Sequence, residues 1–142
     1  MSTTPKRFVA DASVGLSWIH PGQATKETDQ LLESLRRGTS ILVPPLWFIE
    51  MANALIVLER RGKLQPAERQ EAIQALDALP ISVDPDSHLR AFGEISRLAD
   101  THTLSVYDAT YLELALRERL PLATKDVALK TAAGQSGVKL LL

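Results

Sequence analysis

The stretch Ser105-Val106-Tyr107-Asp108-Ala109-Thr110-Tyr111-Leu112-Glu113-Leu114-Ala115 opens on a helix-capping residue and continues with apolar residues at helical spacing. Its first turn carries an acid, Asp108. Three other acids stand at comparable junctions. Asp11 follows the apolar run Phe8-Val9-Ala10, Glu50 sits in an apolar helix entered from Ile41-Leu42-Val43, and Asp126 comes just after Leu122-Ala123-Thr124. Short apolar strands that each deliver an acid to a following helix are the pattern on which the reading of the whole chain turns.

Working outward, Arg7 to Asp11 reads as a buried strand, and Ala12 to Trp18 as a short helix ended by His20-Pro21-Gly22. Thr25 to Arg37 has Leu31, Leu32 and Leu35 at helical spacing and stops at Gly38. Ser40 to Val43 is a second strand. Pro44-Pro45 then opens a helix from Leu46 to Arg61 that is apolar on nearly every face, as expected of a central, buried element. Pro66 to Ala78 is a polar helix and Ile81 to Val83 a third strand. A helix from Asp86 or Ser87 to Thr101 is expected to bury Leu89, Phe92, Ile95 and Leu98. After the helix from Val106 to Arg119 come a strand over Pro121 to Thr124, a helix from Val127 to Ala133 and a last strand over Val138 to Leu142. The alternation predicts an α/β layer fold with a mainly parallel sheet.

Composition narrows the chemistry. At 142 residues, with no repeat and no long linker, the chain is expected to form one domain over 1–142. It has no cysteine, which excludes disulfides and thiolate metal sites. His20, His88 and His102 have no ligand spacing. Met1 to Lys6 lacks the apolar core of a signal peptide, and no stretch is long enough to span a bilayer, so a cytoplasmic protein is expected. The formal charge of -1 is not the footprint of a protein that holds nucleic acid by charge alone. If the substrate is nucleic acid, a metal and local basic clusters must attract it: Arg36-Arg37, Arg60-Arg61 with Lys63, and Lys125 with Lys130 are the candidates, with a solvated helix end the competing role for each and the preferred one for Arg36-Arg37 before Gly38.

Each acid also has a structural explanation. Asp11 and Asp126 suit helix caps, and Ser105 with Asp108 fits a capping box. Glu50 is different, because an ionised carboxylate among apolar residues must be paired, protonated or bound to a cation. A buried arginine partner is the structural alternative for it. Jointly the four point elsewhere. Positions just beyond strands and early in helices share one edge of an open parallel sheet, where ligands bind if the strand order reverses. An all-oxygen cluster selects hard cations, magnesium or manganese, and one or two such ions suit phosphoryl chemistry. Ser13 and Thr124, each two residues from an acid, and Asn53, one turn after Glu50, are candidates for supporting polar contacts, with capping the competing role for the two hydroxyls.

Four segments taken in order resemble the PIN-domain family, and within it the VapC toxins of bacterial toxin–antitoxin pairs. They are Phe8-Val9-Ala10-Asp11-Ala12-Ser13, Glu50 with Met51-Ala52-Asn53-Ala54-Leu55, Tyr107-Asp108-Ala109 with Tyr111-Leu112 and Ala115, and Leu122-Ala123-Thr124-Lys125-Asp126. The resemblance implies a PIN-like three-layer sandwich whose five-stranded sheet runs 3-2-1-4-5. It further implies a magnesium- or manganese-dependent endoribonuclease in which Asp11, Glu50, Asp108 and Asp126 form an acidic quartet helped by Ser13 and Thr124. A cognate VapB-like antitoxin, a homodimer and a larger assembly with antitoxin are implied as well. Trp18, Trp47 and Phe48 would line the antitoxin groove, with core packing the alternative, preferred for Phe48.

Three rival readings fit the chain less well. A phosphatase with an aspartate nucleophile would want Asp-x-Asp after the first strand, where this chain has Ser13. A receiver-like domain would want an acid pair there. A PIN-like binding module without activity would not need the complete quartet.

Overall fold

Phe8 and Val9 point to opposite faces of one strand, yet neither is exposed at all, so the sheet they belong to is covered on both sides. The computed structural model describes residues 5–142; the first four residues of the polar N-terminal segment lie outside them. Strands β1 (Arg7–Ala10), β2 (Ser40–Val43), β3 (Ile81–Val83) and β4 (Leu122–Ala123) form a parallel sheet in the order β3-β2-β1-β4. Helices α1 (Ala12–Ile19), α2 (Lys26–Arg36), α3 (Leu46–Arg60) and α4 (Pro66–Asp77) pack on one another. Helices α5 (Ser96–His102), α6 (Val106–Glu118) and α7 (Val127–Gln135) form a second group, in which α6 lies against β1. No described helix is long and apolar enough to cross a membrane.

Three expectations need correction. The fifth strand is reduced to one parallel bridge between Leu140 and Leu122, so the order 3-2-1-4-5 survives only as four strands and that bridge. β4 offers only two paired residues, and Leu122 is already held by both Lys139 and Leu141. Helix α3 buries a stripe of Trp47, Met51 and Leu55 but leaves Phe48 and Ile49 exposed. Its apolar composition hid a one-sided role, since its main helical neighbours are α1 and α4. The expected helix from residue 87 breaks into a 3-10 turn (Ser87–Arg90), a π turn (Ala91–Ile95) and α5. Gly93 departs from helical geometry, with φ -104° and ψ -105°. The register is lost there, so Ile95 and Leu98 are buried while Leu89 and Phe92 are exposed.

Two contacts lock the layers. At Gly15 an added Cβ would sit 2.9 Å from both Met51 Sδ and Trp47 Cζ2, so the absence of a side chain lets α1 and α3 meet. On the other side of the sheet Arg117 of α6 donates to both oxygens of Asp84, at 3.0 and 2.9 Å, and to Glu113 at 2.8 Å. Ser87 adds a bond to Asp84, whose own N–H extends β3 by reaching the Val43 carbonyl. The Arg117 guanidinium holds the Asp84 carboxyl down at about 2.

Gly15→Ala should destabilise the protein by about 1–3 kcal/mol despite alanine's better helix propensity, because the rigid Trp47 ring must give way; a urea melt equal to or better than wild type would refute the close contact. A carboxyl whose pKa is lowered by folding stabilises above its unfolded value, 3.8 for Asp84, and loses that contribution as pH falls. About 2 kcal/mol of stability is therefore expected to disappear between about pH 4 and pH 2, and to be missing from the pH dependence of Arg117→Met. Denaturation curves across that range check it.

Candidate active site

Asp11 lies at the junction of β1 and α1, and its side chain caps that helix by accepting the Val14 N–H at 3.2 Å. It is 4% exposed and surrounded by donors. Ser13 Oγ donates to Oδ1 at 2.6 Å, Thr124 Oγ1 donates to Oδ2 at 2.5 Å, and Trp47 Nε1 reaches the main-chain carbonyl. Thr124 arrives because β1 and β4 run side by side, with Val9 opposite Leu122 and Ala10 opposite Ala123. The same threonine accepts the Asp126 N–H at 3.0 Å, while the Asp126 carboxylate caps α7 through the Leu129 N–H at 2.8 Å. Ser13 Oγ also accepts the Lys125 N–H. Both strand-end acids thus cap the helices that follow them.

Glu50, one turn into α3, accepts a bond from Tyr111 Oη at 2.5 Å. Its arginine alternative is absent: none of the four acids forms an ion pair among the described residues. Asp108 is in the first turn of α6, where Ser105 caps the helix by accepting the Asp108 N–H. The Asp108 side chain does not return the bond, so the expected capping box is only half made.

The electrostatics tie the four together. Burial raises the Asp11 carboxyl above its ordinary range against the pull of Ser13, Thr124 and Val14, and Asp108 raises it further. Burial also raises Glu50, opposed by the Tyr111 hydroxyl and reinforced by Asp108 and Asp11. Asp108 is raised by burial and then by Asp126. Asp11, Glu50 and Asp108 are thus each raised by another acid of the set. Lys125 does not neutralise them, since its Nζ binds the Gln23 carbonyl at 2.7 Å and Ser17 Oγ at 3.2 Å. Among the described residues no group of three or more acids or histidines closes into a preformed metal cage. Mutual repulsion with only hydroxyl and N–H compensation favours such an open arrangement. The donor set nevertheless fits a hard divalent cation: it is all oxygen, negatively charged, partly desolvated and without an internal counter-charge.

Asn53 is exposed and makes no side-chain bond to Glu50. Tyr111 takes that place, and its signal was its position three residues after Asp108, on the same helix face. Trp47 was also unassigned to Asp11, a contact that only the meeting of α1 and α3 creates. Trp47 itself belongs to the core, Trp18 is half-buried with Nε1 on the Thr28 carbonyl, and Phe48 borders an open apolar groove between α3 and α4.

Comparison with known proteins bears on the fold and the family. No curated protein matches the chain by sequence. Among solved structures, PAE2754 from Pyrobaculum aerophilum is 22% identical, with a TM-score of 0.66 over 89% of this chain and 78% of that one. A toxin-antitoxin complex from Klebsiella pneumoniae is 20% identical, with a TM-score of 0.61 over 95% and 98%. VapBC2 from Rickettsia felis, bound to a DNA fragment from its promoter, is 12% identical, with a TM-score of 0.65 over 94% and 96%. These likenesses concern the fold. The PIN domain model matches residues 8–135, from the first buried residue of β1 to the end of α7 and across all four acids, and the chain belongs to the PIN domain family.

Proposed function

We propose that this chain is a metal-dependent endoribonuclease and the toxin of a VapBC-like toxin–antitoxin pair. The observation that carries the reading is a set of four acids, Asp11 and Asp126 beyond the carboxyl ends of β1 and β4 and Glu50 and Asp108 early in α3 and α6, electrostatically coupled and without a cationic partner among the described residues. Asp11, Glu50, Asp108 and Asp126 would hold magnesium or manganese. The bound ion would supply a water of lowered pKa and charge stabilisation for the phosphodiester.

The chain's own residues prepare the pocket. Ser13 and Thr124 fix one oxygen each of Asp11, so its orientation does not depend on ligand. Tyr111 restrains Glu50, and the first turn of α6 brings Asp108 close enough to raise the carboxyls of both Glu50 and Asp11. A toxin-antitoxin complex and VapBC2 among the structural neighbours support a VapB-like antitoxin as partner; RNA as substrate and a homodimer as the assembled form belong to the same reading through the resemblance to VapC toxins. The groove of Phe48, Ala52, Ile56 and Ile73 suits an apolar antitoxin segment, and a basic antitoxin side chain would satisfy the acids directly.

Purified wild type is expected to cut structured RNA with manganese and to stop with chelator, while Asp11→Asn should lose at least about 100-fold of that activity with its fold retained. Equal cutting by both proteins would end the assignment. For Asp108 the sign is opposite to that for Asp84. A carboxyl raised by folding is a burden above its unfolded pKa of 3.8 and none well below it. Asp108→Asn should therefore raise the melting temperature of the metal-free protein at pH 7, lose that advantage below about pH 4, and weaken manganese binding. Calorimetric titration and melting at the two pH values measure all three effects.

A further inference from the structure

Tyr111 is 1% exposed, and a buried phenol requires an acceptor. The one it has is Glu50 Oε1, 61 positions earlier in the chain. The bond joins α3 of one helical group to α6 of the other, and α6 also carries Asp108 on the face that Tyr111 shares. Among the described residues Glu50 has no ion-pair partner, and its Oε2 accepts no hydrogen bond. Tyr111 is thus the single donor that restrains this carboxylate, and it leaves one oxygen free.

We infer that Tyr111 is a positioning residue for Glu50, holding the carboxylate through one oxygen so that the other is available to a divalent cation. This rests on the reading of Glu50 as a cation-holding acid. A glutamate has three rotatable bonds, and restraining them before the ion arrives removes an ordering cost from binding. The alternative is a core tyrosine that takes the nearest acceptor. That role would affect stability but would not couple to Glu50 in ion affinity.

The test is a double-mutant cycle with Tyr111→Phe, Glu50→Gln and the pair, read by calorimetric titration with manganese alone and by melting of the metal-free proteins, with Asp11→Asn as control. Tyr111→Phe keeps the ring and should fold while binding manganese about 10-fold more weakly. In the Glu50→Gln background the same change should cost no further affinity. Wild-type affinity in Tyr111→Phe beside weakened Glu50→Gln and Asp11→Asn would overturn the role of Tyr111 and leave the metal site standing. A full additional loss in the double variant would overturn it too, by showing that the hydroxyl acts independently of Glu50. Unchanged affinity in both Glu50→Gln and Asp11→Asn would remove the site reading and this inference together.

Discussion

The pairing of β1 with β4 is the constraint on which the rest of the molecule depends. The ladder is short, Val9 with Leu122 and Ala10 with Ala123, but it joins segments more than a hundred residues apart. Because β2 and β4 flank β1 on opposite sides, the strand order reverses at β1 and opens a crevice beyond its carboxyl end. Asp11 and Thr124 meet across that crevice, and Asp126 follows in the next turn. The two remaining acids come from helices on either side, and their approach depends on Gly15 letting α3 settle against α1 and on α6 lying over β1.

Buried acids are treated in two ways within one fold. Asp84 and Glu113 are given an arginine that bonds to both, the arrangement expected where charge has to be hidden for good. Asp11, Glu50 and Asp126 of the quartet receive hydroxyls and backbone N–H groups instead, which orient carboxylates without cancelling their charge. The difference is physical as well as functional. A neutral donor leaves a negative potential that a cation from solution can enter, whereas an internal guanidinium would occupy it.

Much of this was legible in the chain. Asp11 and Asp126 could be placed because each follows an apolar run too short for anything but a strand, and Asp108 because a serine three residues earlier marks a helix start. Tyr111 was harder to assign, since a tyrosine among apolar residues has the same local appearance whether it meets a carbonyl, a water or Glu50. Phe48, Leu89 and Phe92 were placed inward on composition and spacing, but exposure depends on what packs beside a helix and on whether its register is continuous. Gly93 breaks that register without any distinctive local signal beyond being a glycine.

The sequence by itself determined the alternation of strands and helices, the parallel class of the sheet and the four acidic junctions, because hydrophobic periodicity, caps and breakers act over a few residues. Tertiary structure alone decided the truncation of the last strand, the faces of α3 that stay open, the Arg117 network and the partner of Glu50. Each of those depends on atoms from segments tens of residues apart. No local pattern encodes such distances, which are set when the helices close over the sheet.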